Sequence, residues 1–544
     1  MAPNSAILKY LDLPSDAEDE DTSTALTALL TSAVHDDAPT QTLSDIYNRV
    51  IADSGKDYLD PLHLIPLLVP SSDNSAGDVL ALIGECGSPK EVIIAVEEAL
   101  ERLRHELEVE EDEDMGPHKA SLSAQLGTLL DLYGSAIPRL KLRRKSALET
   151  IRPFIQELEG AIKLVAVQAN RETALSLLTS ISRLSNKFVI WLNSINLNGD
   201  EDLNNCKAII ETLLDRTLIA FSNSIQSQIA QRTLEKRFPR QTVPSSDRYN
   251  WQPGEESVRT ILESYKLLGN APSKTVPSST KDLFFFAYET PGGYQPLETL
   301  RRLMPVILSG LKTDTFVDES LTSLLKIFHD FQNHPENPTL PPEFTTGLGS
   351  VLPSIASPHP DPHVRNQVFR CLSLVLSVAD PHNRFQQLIE LSRDSEYPQM
   401  RVASVGLVKE ALLRAISDPS KGDKYFLKPL FLSSFGPILF RFNPPDLLST
   451  DISLQDFVES SESSRILECL SLYYVLIHRD RNNLTGIRDS DVKQTIDRNL
   501  LRPLKSAIIR WSENTSKGHT HEIGPIASLQ ISIDRIEKAH TELF

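Results

Sequence analysis

The sequence predicts an all-α protein, and three observations lead to this prediction. Apolar residues recur at spacings of three and four in several segments, which is the pattern of one helix face. Glycine is scarce, with 22 among 544 residues, which disfavours phosphate-binding loops and chains of tight hairpins. Prolines and Asp/Asn/Ser clusters interrupt the pattern at intervals that give a helix pair about every 40 residues. The expected fold is therefore an elongated HEAT/armadillo-like helical-repeat solenoid.

The apolar stripes follow one another along the chain. They run through residues 91–107, 364–378, 405–415, 466–477 and 529–536, and turn-like segments at 357–367, 379–385 and 417–423 separate some of them. Residues 283–288 (LFFFAY) are the best candidate for a strand, although a buried helix start fits them at least as well. No fixed repeat signature is present, so the solenoid prediction depends on the spacing of helices and turns.

The chain is too long for one hydrophobic core, since single cores stop growing at roughly 250–300 residues. Residues 238–256 and 269–281 are rich in proline and serine. We therefore expect a linker and loop region at 238–281, between an N-terminal helical half (1–237) and a C-terminal helical half (282–544). The acidic runs at 12–24 and 106–114 are expected to be exposed loops.

The net charge of −18 bears on the choice of partner. A field of this sign repels phosphate backbones and anionic lipid, so neither nucleic acid nor a membrane surface is an expected partner. The first residues lack the basic and apolar regions of a secretory signal, and the apolar run 62–69 is too short to span a bilayer. We expect a protein of the cytoplasm, with the nucleus as a second compartment.

No motif of an enzyme site is present. The sequence has no GxxxxGK[ST], HExxH or GxSxG, and the pair Gly347 and Gly349 lacks the third glycine of a dinucleotide-binding turn. We therefore predict no catalytic residue, no cofactor and no small-molecule substrate. An enzyme or metalloprotein whose site is assembled from distant residues is a remote alternative.

Two histidine clusters bear on metal binding. His359 and His363 flank Asp361, and His519 and His521 precede Glu522. Two imidazoles with a carboxylate could hold zinc, but both clusters lie in turn-like segments without a rigid scaffold. Capping of a helix by Asp361 and simple exposure are the preferred interpretations, so no metal site is predicted.

The four cysteines are scattered and form no CxxC pair: Cys86, Cys206, Cys371 and Cys469. We expect reduced, mostly buried thiols. Direct redox sensing by Cys371 or Cys469 is an alternative, although both lie on apolar helix faces, where a thiol is usually inert.

Basic residues concentrate in two places. Residues 139–145 read RLKLRRK, and a second cluster contains Arg232, Lys236, Arg237 and Arg240. Either could bind an acidic partner, the acidic runs of the same chain or a nuclear import receptor. We expect residues 139–145 to form the basic outer face of a helix, which needs no partner.

Residues 341–445 resemble the Yap-binding/Alf4/glomulin family. The resemblance rests on a helix after a Pro/Asp turn (364–379), a helix that ends in a charged S-x-x-x-P turn (388–398), and a third helix with a specific motif. The motif residues of that helix are Met400, Arg401, Ala403, Gly406, Leu407, Val408, Lys409 and Glu410. We expect structural roles for them. Gly406 would permit close helix packing, and the charged residues would pair across helices or face solvent.

The resemblance implies a non-catalytic scaffold or adaptor that binds protein partners. The fungal branch of the family is linked to oxidative-stress signalling through an AP-1-like transcription factor, and one member to kinetochores. The animal and plant branches resemble an inhibitor that masks the RING subunit of cullin ubiquitin ligases. This chain is acidic and has proline and serine between its predicted helices, and in both respects it is closer to the fungal branch. We therefore expect a regulator of the oxidative-stress response, with RING masking or a kinetochore adaptor as alternatives.

Overall fold

Prolines begin many of the helices in the C-terminal part of the chain. In a computed structural model of the protein, Pro342, Pro362, Pro381 and Pro398 each occupy the first position of a helix. Proline suits this position because its φ is already helical and its missing N–H has no intrahelical partner there. The helix pair that begins at Pro342 and the next pair, which begins at Pro381, start 39 residues apart. This spacing agrees with the repeat of about 40 residues expected for HEAT-like units.

Small polar residues begin other helices by accepting hydrogen bonds from the first turn. Ser121 and Asn170 accept from the backbone N–H three residues on. Ser146 and Glu149 form a reciprocal capping box. Each such cap satisfies donors that the helix itself leaves without a partner.

The structure describes residues 4–14, 16–36, 39–108, 119–195, 200–239, 250–269, 279–333, 339–393, 397–417, 424–448, 452–515 and 523–543. The chain divides into two compact units. Unit 1 comprises Met1–Ile229 and Pro244–Pro291, and unit 2 comprises Ala230–Val243 and Gly292–Phe544.

The α-helices of unit 1 are α1 (Asn4–Tyr10), α2 (Asp19–His35), α3 (Leu43–Ala52), α4 (Pro61–Leu68), α5 (Asn74–Cys86), α6 (Pro89–Glu108), α7 (Leu122–Ala136), α8 (Ala147–Gln168), α9 (Arg171–Ser194), α10 (Asp200–Ile225), α12 (Gln252–Leu267) and α13 (Thr280–Glu289). Short 3₁₀ helices lie at Gly55–Tyr58 and Ile137–Arg139.

Helix α11 (Ile229–Arg237) begins at the boundary of the two units. The remaining helices of unit 2 are α14 (Pro296–Lys312), α15 (Val317–Gln332), α16 (Pro342–Ala356), α17 (Pro362–Val378), α18 (Pro381–Arg393), α19 (Pro398–Ser417), α20 (Pro429–Leu439), α21 (Leu454–Glu459), α22 (Ser461–Arg479), α23 (Ser490–Ile496), α24 (Arg502–Thr515) and α25 (Ile523–Leu543), with a π-helical turn at Asp497–Leu501.

Within each unit, helices pack on neighbours that are close in the chain. In unit 1, α6 packs on α7 and α8, α7 on α9, and α8 on α10. In unit 2, α14 packs on α15 and α16, α15 on α17, and α18 on α19. Contacts with the next helix and the next but one define a helical-repeat solenoid, in which each repeat is held by its neighbours. The predicted all-α helical-repeat fold is confirmed.

The described part of the chain contains no strand, only the isolated bridges Ser71–Lys119 and Leu340–Ala379. The strand candidate at 283–288 lies within α13, where Leu283, Phe284 and Phe286 are almost fully buried. The alternative, a buried helix, is therefore the correct one.

Helix α12 (Gln252–Leu267) lies inside the predicted linker and loop region. Val258, Ile261, Leu262 and Tyr265 of α12 are fully buried, and the helix packs on α9 within unit 1. Only the flanking stretches are rich in proline and serine, and residues 240–249 and 270–278 among them lie outside the described residues. The division of the chain at 238–281 stays a prediction.

Part of the first acidic run also differs from the expected loop. Asp19, Glu20 and Asp21 form the first turn of α2. Carboxylates are favourable there because the N-terminal end of a helix carries partial positive charge. In the second run, residues 106–108 end α6, and residues 109–114 lie outside the described residues.

None of the helices in the described ranges combines the length and hydropathy needed to cross a lipid bilayer.

Candidate partner-binding surfaces

An apolar groove lies between α20 and the segment 485–499 in unit 2. It encloses a cavity of about 520 Å³. Apolar side chains form much of its lining: Pro429, Leu432, Pro437, Phe440, Val492 and Ile496. We call this cavity and its lining the α20 groove. Its volume is in the range of preformed binding sites, which are mostly apolar with a few polar groups.

A buried ion pair fixes the α20 side of the groove. Arg465 of α22 is only 4 % exposed and donates to the carbonyl oxygens of Ile438, at 2.9 Å, and Arg441, at 2.6 Å. Glu462 accepts two hydrogen bonds from Arg465 and one from the backbone N–H of Asn443. Although burial acts to lower the pKa of Arg465, its bonds to Glu462 raise that pKa above the ordinary value. The charged pair therefore ties the C-terminal end of α20 to α22.

A hydrogen-bonded turn fixes the opposite side. The buried carboxylate of Asp480 accepts from the backbone N–H groups of Leu484 and Thr485, both at 2.8 Å, and from the Thr485 hydroxyl at 2.7 Å. Gly486 has a φ of +81°, which side chains with a Cβ rarely adopt. The Arg488 guanidinium donates to the Ile477 carbonyl at 2.7 Å. The turn is thus positioned before any partner binds.

The rim of the α20 groove is charged. Asp489, Asp491 and Arg441 are exposed and line its edge. The side-chain amide of Asn483 donates to Asp489 at 2.7 Å, which orients that carboxylate. An apolar floor beside two carboxylates suits an amphipathic segment that carries a basic residue. The sequence alone did not point to this groove, because its two sides lie about 50 residues apart in the chain.

The family-motif helix α19 lies beside these elements in unit 2. Met400, Leu407 and Val408 are buried in the core. Lys409 donates to the Ser471 hydroxyl of α22 at 3.0 Å. Glu410 accepts from the Ser373 hydroxyl of α17 at 3.1 Å and from Arg414 at 3.0 Å. These two charged motif residues therefore bond across neighbouring helices, while Arg401 and Ala403 are half-buried.

Gly406 does not have the expected role in close packing. It lies on the exposed side of α19, and a Cβ built there meets no atom within 4 Å. The expectation was wrong because the buried face of α19 passes through residues 404, 405, 407 and 408 and leaves residue 406 facing outward. No contact explains a glycine at this position.

The first basic segment is not a helix face. Arg139 ends the short 3₁₀ helix and donates to the carbonyl oxygens of Gly84, at 2.5 Å, and Gly87, at 2.9 Å, at the end of α5. Residues 141 and 143–145 are exposed in a connection that ends at the cap Ser146. The helical expectation failed because Pro138 and the capping box interrupt the helical pattern on both sides.

The histidine cluster around Asp361 is a helix cap. The Asp361 carboxylate accepts from the backbone N–H of His363 at 2.7 Å, and the imidazole of His359 accepts from the backbone N–H of Asp361. No group of three or more potential metal ligands occurs among the residues that the structure describes. His519, His521 and Glu522 lie outside those residues.

The cysteines are free thiols of different accessibility. Cys206, Cys371 and Cys469 are buried, and Cys86 is half-buried. Burial raises the pKa of Cys206 and of Cys469 to about 12, and raises the pKa of Cys371 still further. Because the thiolate is the reactive form, this environment opposes redox sensing by Cys371 or Cys469.

Stacked helices with a preformed apolar groove define a class of protein, the helical-repeat proteins that bind other proteins. Residues 297–539 match the sequence model of the uncharacterised protein family YAP/Alf4/glomulin. The match covers slightly less than half of the chain and includes α15 to α24. It confirms the resemblance seen in the sequence. No curated protein matches the chain.

The match to this family supports a protein-binding adaptor. The family is one of helical binding proteins and is not a known enzyme family. The α20 groove, its two fixed sides and the motif helix α19 all lie within the matched residues.

Proposed function

We propose that the protein is a non-catalytic adaptor and that the α20 groove binds an amphipathic segment of a partner protein. The observation that carries this proposal is the preformed groove itself, with an apolar floor and with Asp489 and Asp491 at its rim. Apolar side chains of the segment would fill the floor, and a lysine or arginine would face the two carboxylates. Because both sides are already fixed, little conformational entropy is lost when the partner binds.

For the biological role, we propose a regulator of the oxidative-stress response that binds an AP-1-like transcription factor in the cytoplasm and also enters the nucleus. The resemblance to the fungal branch supports this role. Masking of a cullin-ligase RING subunit and a kinetochore adaptor role are the alternatives that the family suggests.

The test is affinity purification of the tagged protein from oxidant-treated cells, followed by mass spectrometry. Leu432→Glu places a charge in the floor of the α20 groove. Ile531→Glu is the matched control, because Ile531 is 50 % exposed on α25 and does not line the groove. We expect Leu432→Glu to reduce partner recovery at least tenfold and Ile531→Glu to leave it unchanged. Circular dichroism must show equal helicity for all three proteins.

The identity of the recovered protein separates the three roles. A transcription factor supports the proposed one, and a RING subunit or a kinetochore protein replaces it with the corresponding alternative. Equal recovery by both variants would overturn the assignment of the groove.

A further inference from the structure

Basic residues gather on a different surface of unit 2. Arg232, Lys236 and Arg237 lie on α11, and Lys326 lies on α15. Arg237 donates to the Lys326 carbonyl oxygen at 3.3 Å, which places the two helices in contact. Burial lowers the pKa of Lys326 to about 8, the neighbouring charges of Arg237, Lys236 and Arg232 act in the same direction, and Asp330 opposes them. The four cations therefore repel one another.

The nearby carboxylate of Asp330 is already occupied. It accepts from Arg237, from the imidazole of His329 at 2.9 Å and from the Tyr294 hydroxyl at 2.5 Å. These bonds use most of its acceptor positions. Asp330 is therefore held mainly by Arg237, His329 and Tyr294.

A polar cleft adjoins this cluster. Leu234 of α11 and Phe238, which directly follows α11, line it together with Arg370, Ser373 and Ser377 of α17. The cavity measures about 120 Å³. Arg414 and Glu410 of α19 complete it and are paired with each other at 3.0 Å. We call the α11 cluster with this cavity the basic cleft.

Arg370 is the side chain of the basic cleft that is available to bind an anion. Among the described residues, no hydrogen bond or ion pair engages its guanidinium group, although the residue is half-buried. Its five N–H donors match the geometry of a carboxylate. The hydroxyl groups of Ser373 and Ser377 line the same cavity.

We propose that the basic cleft binds an acidic peptide segment of a partner protein, with one carboxylate at Arg370 and a second at the exposed Lys236 of α11. The cavity is lined by two guanidinium groups, Arg370 and Arg414, and one carboxylate, Glu410, although the chain carries a net charge of −18. This local charge favours an acidic segment. Leu234 and Phe238 offer apolar contact to the stems of its side chains. A cavity of this size holds a single carboxylate group, and the overall negative charge disfavours a long nucleic acid.

This inference rests on the proposed adaptor function only in that both concern protein partners. The basic cleft and the α20 groove share no lining residue. Loss of acidic-peptide binding would therefore leave partner recovery through the α20 groove intact, and the two proposals can fail separately.

The test is fluorescence anisotropy with a labelled decapeptide rich in aspartate and glutamate, using the full chain. The comparison ligands are the same peptide with asparagine and glutamine, and a single-stranded DNA 20-mer. Arg370→Gln should weaken binding of the acidic peptide at least tenfold. Arg502→Gln removes an exposed guanidinium from α24 and is the matched control, so binding should be unchanged.

We also expect the affinity for the acidic peptide to fall as NaCl rises, because the interaction is between exposed charges. Three results would overturn the proposal: wild-type affinity in the Arg370→Gln variant, equal affinity for the amide peptide, or tighter binding of the DNA than of the acidic peptide at the same salt concentration.

Discussion

Buried arginines satisfy the carbonyl groups that helix ends leave without partners. Arg139 binds carbonyl oxygens at the end of α5, and Arg465 binds one in the last turn of α20 and one just after it. Arg384 donates to the carbonyls of Leu376 and Ala379 at the end of α17, at 2.6 and 2.8 Å. A guanidinium suits this role because it offers several donors and its charge complements the negative end of the helix. Single arginines thus fix the connections between helices.

Arg465→Met tests this role at the end of α20. We expect the free energy of unfolding to fall by about 3–5 kcal/mol, because the change leaves the Glu462 carboxylate buried without its partner. Urea unfolding followed by circular dichroism measures it. Arg502→Met removes an exposed ion pair and should cost at most about 1 kcal/mol. Equal losses in both variants would contradict a special role for the buried pair.

Gly406→Ala should stabilise the protein. Glycine inside a helix costs about 0.5–1 kcal/mol relative to alanine, and the added methyl group meets no atom here. Gly254→Ala is the opposite control, since a Cβ there would lie 1.8 Å from the carbonyl oxygen of Ile225. We expect the melting temperature to rise for the first variant and to fall for the second. A decrease with Gly406→Ala would reveal a packing or backbone requirement at that position.

Thiol accessibility gives a third test at this scale. In native protein at neutral pH, iodoacetamide should label Cys86 first, because its thiol is half-buried while the others are enclosed. Peptide mass spectrometry over a time course measures the order, and all four thiols should react at once in guanidinium chloride. Rapid native labelling of Cys371 or Cys469 would restore redox sensing as a function.

At the scale of elements, α25 is held to α22 through a partly buried histidine. The His540 imidazole and the Tyr473 hydroxyl form a hydrogen bond of 2.9 Å. Burial lowers the pKa of His540 to about 4, with Lys493 acting in the same direction and Asp497 and Glu537 opposing it. The packing of α25 therefore requires the neutral imidazole.

This requirement makes stability depend on pH. The unfolded chain binds a proton at His540 near the ordinary pKa of about 6.5, before the folded chain does. The contribution of His540 to the free energy of unfolding is thus complete above about pH 6.5 and is lost as the pH falls toward about 4. His540→Gln should flatten the decline in unfolding free energy between these pH values, whereas His105→Gln, at an exposed position, should not. Identical pH profiles for both variants and wild type would contradict this role.

At the scale of the whole molecule, stability is distributed over neighbouring repeats. Most helices contact the next helix or the next but one, and α9–α12, α19–α22 and α22–α25 join helices three apart. A defect in one repeat is therefore felt first by its immediate neighbours. The same architecture places side chains from separate repeats side by side on the surface, which is how the α20 groove and the basic cleft arise. Both surfaces are proposed to bind protein partners.

The proposed absence of a metal site can be tested on the whole protein. We expect elemental analysis of purified protein to show less than one zinc, iron or manganese per chain, because the histidines around Asp361 serve as part of a helix cap. A stoichiometric metal would contradict this expectation and would direct attention to His519 and His521.

The sequence by itself determined the fold class and most of the helices in the second half of the chain. Proline at the first helical position and apolar spacing of three and four are local signals, so they predicted α17, α19 and α22. The family motif likewise lies within one helix. The same signals placed a loop across α12, because the proline and serine around it outweighed its own apolar stripe.

Only the tertiary structure decided where these helices expose a surface for a partner. Gly406 faces outward and Arg139 faces inward, and neither direction follows from the local sequence. The two sides of the α20 groove, and the helices α11, α15, α17 and α19 around the basic cleft, meet only through packing between repeats. Local spacing fixes which face of a helix is apolar. Which residues lie across a groove from one another depends on contacts between distant parts of the chain.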